Sequence, residues 1–304
     1  MKNQIKIFYT KDWPDYELLD TGEGEKLERF GPYIFVRPCE DAVWPKASTK
    51  EAKEAWVKAD GKFWSSKVGA KAGWKMEKKI TKKWEMSYKG IKFLASPTPF
   101  RHLGFFPEQA IHWDFIEAKI KSTEAGLPQN GEKKINFLNL FGYTGVASLF
   151  ALRAGAEVTH LDASKQTLAW AKENQNLSGF ENLPMRVIED DALKFLEREA
   201  KRGNKYDAII MDPPKFGRGP KGEVWKIEEM LPKLLTAVQK VLSDKPLFVI
   251  LTSYAIDSSS LSLGYALEEM MKNFKGTTDV GELCILEKSN NRIIQLANTA
   301  VWSV

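Results

Sequence analysis

The chain has 304 residues, 43 % of them hydrophobic and 28 % charged, which is enough apolar material for one large core or two smaller ones and excludes a disordered chain. No apolar run approaches the roughly 18 residues of a membrane span, and the opening Met1-Lys2-Asn3-Gln4-Ile5 has no apolar leader core. Cys39 and Cys284 are the only cysteines, so a reduced cytoplasmic setting is expected, with no disulfide framework and no metal site; the net charge of +5 permits a polyanionic partner without demanding one.

Residues 1–95 are expected to form a small β-rich domain. Short strands are read at 16–20 and 33–37, punctuated by Thr21-Gly22-Glu23-Gly24 and Gly31-Pro32. A short helix is expected over 48–56 with Ser48 as its cap. Residues 83–94 alternate around a hairpin turn at Tyr88-Lys89-Gly90-Ile91. Between Trp44 and Trp84 lysines are interleaved with Trp56, Trp64 and Trp74. That pattern suits either a nucleic-acid surface or a solvated basic face over a core that uses tryptophan.

Residues 96–304 read as α/β. An amphipathic helix is predicted over 107–121, with Trp113, Ile116 and Ile120 on one face, followed by a loop at 124–133. Apolar runs of strand length then fall at 135–139, 157–162, 185–189, 206–212 and 247–252. Helical patterns separate them at 145–153, 164–176, 192–201 and 227–242. The alternation predicts a doubly wound, mostly parallel sheet. Late strands at 284–287 and 297–302, joined through Ser289-Asn290-Asn291, would add an antiparallel pair and bring the sheet to seven strands.

Four positions carry candidate chemistry. Phe141-Gly142-Tyr143-Thr144-Gly145 turns a strand into a helix, where backbone amides and the helix N-terminus can meet an anionic group; an ordinary strand–turn–helix is the alternative. The spacing is not that of a dinucleotide glycine fingerprint. Asp162, in Asp162-Ala163-Ser164, lies at the spacing used to hold ribose hydroxyls, with Ser164 expected to cap the next helix and leave Asp162 free. Asp190-Asp191-Ala192 ends the third strand, with Asp191 favoured as the helix cap and Asp190 left for an adenine amino group. Asp212-Pro213-Pro214-Lys215-Phe216 is the most specific signal: two prolines fix a rigid turn that holds Asp212 at the sheet's carboxyl edge, with Phe216 available to stack on a base.

In this order the four signals resemble class I S-adenosylmethionine (SAM)-dependent methyltransferases, with a Rossmann-like fold. Residues 139–145 together with Asp212-Pro213-Pro214-Lys215-Phe216 look like the bacterial large-subunit ribosomal RNA methyltransferases. The segment Gly104-Phe105-Phe106-Pro107-Glu108-Gln109 looks like that family's motif closing over SAM, which implies Phe105 and Gln109 as cofactor residues. The resemblance covers about residues 97–304 and implies SAM as cofactor and RNA, ribosomal RNA above all, as partner, with no metal and no membrane. Cytosine-C5 chemistry needs a thiolate. None stands beside Asp212 or in Leu251-Thr252-Ser253-Tyr254-Ala255, so N-methylation is favoured, with Asp212 orienting the nucleophile and Lys215 meeting a phosphate or solvent. A protein or small-molecule acceptor, a nicotinamide-dependent oxidoreductase and a SAM-free RNA-binding module are the competing readings. His112 and His160 read as structural, while Arg101 and His102 are candidate substrate contacts.

Overall fold

In a computed structural model of the chain, the described residues are 4–64, 72–123, 134–254 and 259–304. The expected loop at 124–133 lies outside them. In chain order the elements are β1 (Ile5–Phe8), β2 (Tyr16–Gly22), β3 (Glu25–Phe30), β4 (Tyr33–Pro38), α1 (Lys50–Val57), β5 (Gly61–Trp64), β6 (Gly73–Met76), β7 (Trp84–Tyr88), β8 (Ile91–Ala95), α2 (Ala110–Lys121) and β9 (Asn136–Leu140). Then come α3 (Val146–Arg153), β10 (Glu157–Asp162), α4 (Lys165–Leu177), β11 (Met185–Glu189), α5 (Ala192–Arg202), β12 (Ala208–Met211), β13 (Phe216–Arg218) and β14 (Val224–Lys226). The chain ends with α6 (Ile227–Val241), β15 (Phe248–Ser253), α7 (Ser260–Met271), β16 (Thr277–Leu286) and β17 (Ile293–Ser303).

Two compact units result. One comprises Met1–Phe8, Ile111–Leu283 and Leu296–Val304; the other comprises Tyr9–Ala110 and Cys284–Gln295. The grouping differs from a cut at 95/96, because β1 pairs with β16 and the turn between β16 and β17 groups with the second unit.

The α/β unit carries the sheet β1-β16-β17-β15-β12-β9-β10-β11. β9, β10, β11, β12 and β15 are parallel to their neighbours in that group, and β17 runs antiparallel to β15. The expected Rossmann-like arrangement is present with one strand more than the seven predicted. The eighth is β1, whose four exposed or half-exposed residues pair with Val280–Leu283 far along the chain, a long-range partner that local pattern cannot reveal. β12 and β15 are buried throughout, as parallel strands covered on both faces must be. Leu138, Ile209, Met211, Val249 and Leu251 meet Phe195 and Leu196 of α5 and Leu234 and Val238 of α6 in one core, each side chain contributing about 1.5–3 kcal/mol on burial. Trp113, Ile116 and Ile120 of α2 are buried as the periodicity requires. The fourth strand is shorter than its apolar run at both ends, and Pro213, which cannot continue the ladder, ends it. α7 is an element for which the sequence raised no expectation.

In the second unit β2-β3-β4-β5-β6 form one sheet and β7-β8 a hairpin. Thr49, not Ser48, caps α1, accepting from the Ala52 amide. The fully buried Glu28 accepts two 2.6 Å hydrogen bonds from Arg37 and one of 2.8 Å from the Tyr16 hydroxyl. Burial pushes its pKa up, but Arg37, Lys26 and those bonds together outweigh burial and hold it at about 2.

Candidate active site

Parallel pairing sets the predicted residues side by side. Leu140 of β9 is in register with Leu161 of β10 and Met211 of β12, and Asp162 with Glu189 of β11. The chain therefore leaves four adjacent strands at one level, and the segments 141–145, 162–164, 190–192 and 212–216 all sit at the sheet's carboxyl edge, where open α/β sheets bind ligands.

The turn after β9 is strained and braced. Phe141 (φ 58°), Tyr143 (φ 52°) and Gly145 (φ 85°) are left-handed, a conformation that costs a non-glycine residue about 1–3 kcal/mol. Both polar groups of the Tyr143 peptide are held: its N–H donates to Asp162 Oδ2 (2.9 Å) and its carbonyl faces His160 Nε2 (3.2 Å). The carbonyl can only accept, so His160 carries its proton on Nε2 and its Nδ1 accepts from the Ser148 hydroxyl at 3.0 Å. Ser148 in turn accepts from Asn139 Nδ2 at 3.0 Å. Burial, opposed by the Asp162 charge and the Tyr143 carbonyl, lowers the His160 pKa and keeps this relay neutral. Gly142 is required for space rather than for backbone freedom, since a Cβ there would lie 2.3 Å from His160. Gly145 begins α3 without a side-chain cap, so the first-turn amides are left for another partner. The thread from Asn139 to Tyr143 is a supporting network that pattern reading had assigned only as a structural histidine.

Asp162 is not left free. Oδ2 accepts from Tyr143, while Oδ1 accepts from the Ser164 amide (2.9 Å) and the Thr167 hydroxyl (3.0 Å). Ser164 does cap α4, as expected, so both residues work on the same turn because aspartate also bonds amides two residues on. Oδ2 retains room for a second donor. Asp191 caps α5, accepting from the Lys194 amide. Asp190 accepts from the Asp191 amide and pairs with Arg198. Ala163 is half-buried and Ala192 buried beside these carboxylates.

After β12, Asp212 is half-buried, Pro213 buried, and Pro214, Lys215 and Phe216 are exposed. The chain then makes the β13–β14 hairpin, which the sequence did not suggest. Trp225, on its inner face, donates to the Pro214 carbonyl (2.6 Å) and stands edge-on to Phe141 with ring centroids 5.1 Å apart. One buried indole therefore couples the Asp-Pro-Pro loop to the turn after β9. A tryptophan eleven residues after the proline pair is the signal the sequence offers.

Phe105 and Gln109 belong to the second unit. The Phe105 ring is buried against Trp13, Phe30 and Phe93 at 4.9–5.7 Å, and Gln109 is buried at the end of a short 3-10 turn. His102 is half-buried there, and burial, with Arg37, Arg101 and Lys26, pulls its pKa down to about 3. Trp44, Trp56, Trp74 and Trp84 direct their indole N–H groups at Thr21, Asp20, Thr98 and Phe30, while Trp64 is exposed. Four of these tryptophans, each half-buried, are therefore tied into that unit, and Trp64 faces solvent.

Four aspartates, 162, 190, 191 and 212, converge on one sheet edge. Asp190 is offset by Arg198, and the other carboxylates suit an edge that takes a ligand bearing positive charge.

A family model described as "Conserved hypothetical protein 95" matches residues 117–262. The crystal structure of a SAM-dependent methyltransferase from Agrobacterium tumefaciens is 39 % identical, with a TM-score of 0.90 over 98 % of this chain and 93 % of that one. A second solved structure, from Streptococcus mutans, is 16 % identical with a TM-score of 0.72 over 97 % of this chain and 76 % of that one, and so shares the fold. Ribosomal RNA large subunit methyltransferase K of Neisseria meningitidis is 30 % identical over 52 % of this chain and 45 % of its own length. Ribosomal RNA large subunit methyltransferase I of Aeromonas hydrophila is 34 % identical over 42 % and 29 %. The chain thus spans less than half the length of these curated relatives.

Proposed function

The chain belongs to the class I SAM-dependent methyltransferases, and we propose that within that family it methylates a nitrogen of a base in ribosomal RNA. The observation carrying the acceptor is the Asp212 loop: a half-buried carboxylate followed by two prolines and, four residues on, an exposed aromatic ring, tied by Trp225 to the turn after β9.

The residues suit SAM. The sulfonium is cationic, and four aspartates line the edge; the uncapped start of α3 suits the methionine carboxylate. In this reading the 141–145 turn, Thr144 included, cradles the methionine end, Asp162 Oδ2 takes a ribose hydroxyl, and Asp190 takes the adenine amino group. When bound, SAM would supply an activated methyl group that an in-line nucleophile takes, with S-adenosylhomocysteine as the leaving group. Asp212 accepts a hydrogen bond from the base amine, holds its lone pair in line, and takes the proton released as the N–C bond forms and the C–S bond breaks. Pro213 and Pro214 fix that carboxylate, Phe216 stacks on the base, and Lys215 meets a phosphate. A C5 reaction would need a thiolate on C6. Cys39 and Cys284 are both buried, and neither lies in the segment directly after β12 or β15.

The curated relatives that methylate large-subunit RNA support the choice of RNA. The test is methyl transfer from labelled SAM to ribosomal RNA isolated from cells lacking the gene, with nucleosides separated by mass spectrometry. An N-methylated base is the expected product. Appearance of 5-methylcytidine overturns the nitrogen assignment, and label confined to protein or small molecules overturns the RNA assignment.

A further inference from the structure

The β13–β14 hairpin has two unlike faces. Phe216 pairs with Lys226, Gly217 with Trp225 and Arg218 with Val224. Directly opposed residues share a face, as do residues two apart along a strand. Phe216, Arg218, Val224 and Lys226 therefore form one face, and all four are exposed; Phe216 is 59 % and Val224 49 % accessible. Gly217 and Trp225 form the other face, packed on Pro214. An isolated pair of three-residue strands is marginal alone, and the inward tryptophan is what anchors it.

The outer face has no structural task in the α/β core. The Arg218 side chain makes no hydrogen bond or ion pair among the described residues. Lys226 has one exposed ion pair, to Glu229 at 3.0 Å, which is weak enough to exchange for a phosphate. The acid at the hairpin's tip, Glu223, is turned to Lys194 at 2.5 Å. What faces outward is thus two apolar side chains alternating with two cations, beginning four residues after Asp212.

We propose that this face is the track for the single-stranded RNA segment carrying the target base, an assignment that rests on the RNA reading above. Phe216 supplies a stacking surface at the Asp212 end. Arg218 and Lys226 hold backbone phosphates, and Val224 continues the apolar strip under a flanking base. Bases stacked on aromatic rings with cations tracking the backbone is the chemistry of single-strand recognition, whereas a duplex hides its faces from such rings. An acidic protein segment would satisfy the cations but leave Phe216 and Val224 without partners.

The experiment is fluorescence anisotropy with a labelled 12-nucleotide oligouridine and with transcribed large-subunit RNA, over a salt series, for the full chain and for Arg218→Gln and Phe216→Ala. Loss of one phosphate contact lowers the magnitude of the log–log salt slope by about 0.7, the change expected for Arg218→Gln, with calorimetric SAM affinity unchanged. Phe216→Ala is expected to weaken binding about tenfold at every salt concentration without altering the slope. If the unmodified chain binds RNA and both variants match it in affinity and slope, the hairpin assignment falls while the RNA reading stands. If the unmodified chain binds neither probe, both fall. Competition by polyglutamate as effective as by unlabelled oligouridine also overturns the assignment, reducing the face to a charge patch.

Discussion

The indole of Trp225 reaches back across the hairpin to donate to the Pro214 carbonyl at 2.6 Å, and its ring edge rests on Phe141 at 5.1 Å. Two loops from neighbouring strands, one proposed to hold the cofactor and one the acceptor, therefore share a single buried residue. Geometry between donor and acceptor is the main thing such a methyl transfer requires of a protein.

Trp225→Phe keeps an aromatic ring, smaller than the indole, and removes the N–H. The lost hydrogen bond is expected to cost about 1 kcal/mol of stability. Because Pro214 follows Asp212 by two residues, turnover should fall more than SAM affinity. Steady-state kinetics with thermal unfolding checks this; a variant with weakened SAM binding and normal kcat contradicts it.

Gly142 and His160 make a sharper pair. A Cβ at 142 would overlap His160, so Gly142→Ala should destabilise the fold by about 1–3 kcal/mol and weaken SAM binding, since the relay through Ser148 to the Tyr143 carbonyl must shift. His160→Ala frees the space but leaves the Tyr143 carbonyl without its donor. The double variant should cost less than the sum of the singles, with a coupling of about 1 kcal/mol or more. Additivity in urea unfolding would show that the two residues do not contend for one space.

What the sequence could reveal follows from what is local. The strand ends and the four motif segments were legible because a parallel sheet puts successive strand exits on one edge, so motif order in the chain becomes adjacency in space. Ser164 and Asp191 were legible as caps because a cap is a three-residue event. β1 was not, because its partner lies near Val280. The β13–β14 hairpin was not, because Gly217, Gly219, Pro220 and Gly222 read as loop and its order comes from Trp225 meeting Pro214 and Phe141. The engagement of Asp162 escaped for a different reason: spacing gives a carboxylate's position, and only the folded turn gives the number of donors already pointed at it.

That donor count sets the behaviour of Asp162→Asn. Three donors converge on the carboxylate, from Tyr143, Ser164 and Thr167. An amide must turn an NH2 toward at least one of them, so the substitution replaces attraction by repulsion in either rotamer. A loss of about 1–3 kcal/mol is expected, with reduced SAM affinity. Thr167→Val removes one donor and adds no conflict, so its effect on both quantities should be smaller. Calorimetric SAM titration of the two variants decides it, and equal losses would contradict the donor argument.

Acid should destabilise the protein in two overlapping windows. His112 is fully buried and hydrogen-bonded to the Thr299 hydroxyl at 2.9 Å, and burial drags its pKa from 6.5 to about 3. Its depressed value means that the unfolded chain takes up a proton below pH 6.5 while the folded chain does not. Stability is therefore complete above that pH and declines as pH falls toward 3, by up to about 1.4 kcal/mol per pH unit. Glu28, whose pKa is held at about 2 against an ordinary 4.5, acts with the same sign lower down: its contribution is present above pH 4.5 and is lost as pH falls toward 2. Urea unfolding between pH 7 and pH 4.5 isolates the histidine window. In His112→Gln, which cannot titrate at that position, the pH slope in that interval should fall by the His112 share while His102 and His160, also depressed, keep the rest, whereas Arg37→Met should destabilise throughout that interval by leaving the Glu28 carboxylate buried without its strongest partner, about 3–5 kcal/mol. An unchanged slope in His112→Gln would mean that the protons taken up on acid unfolding belong elsewhere.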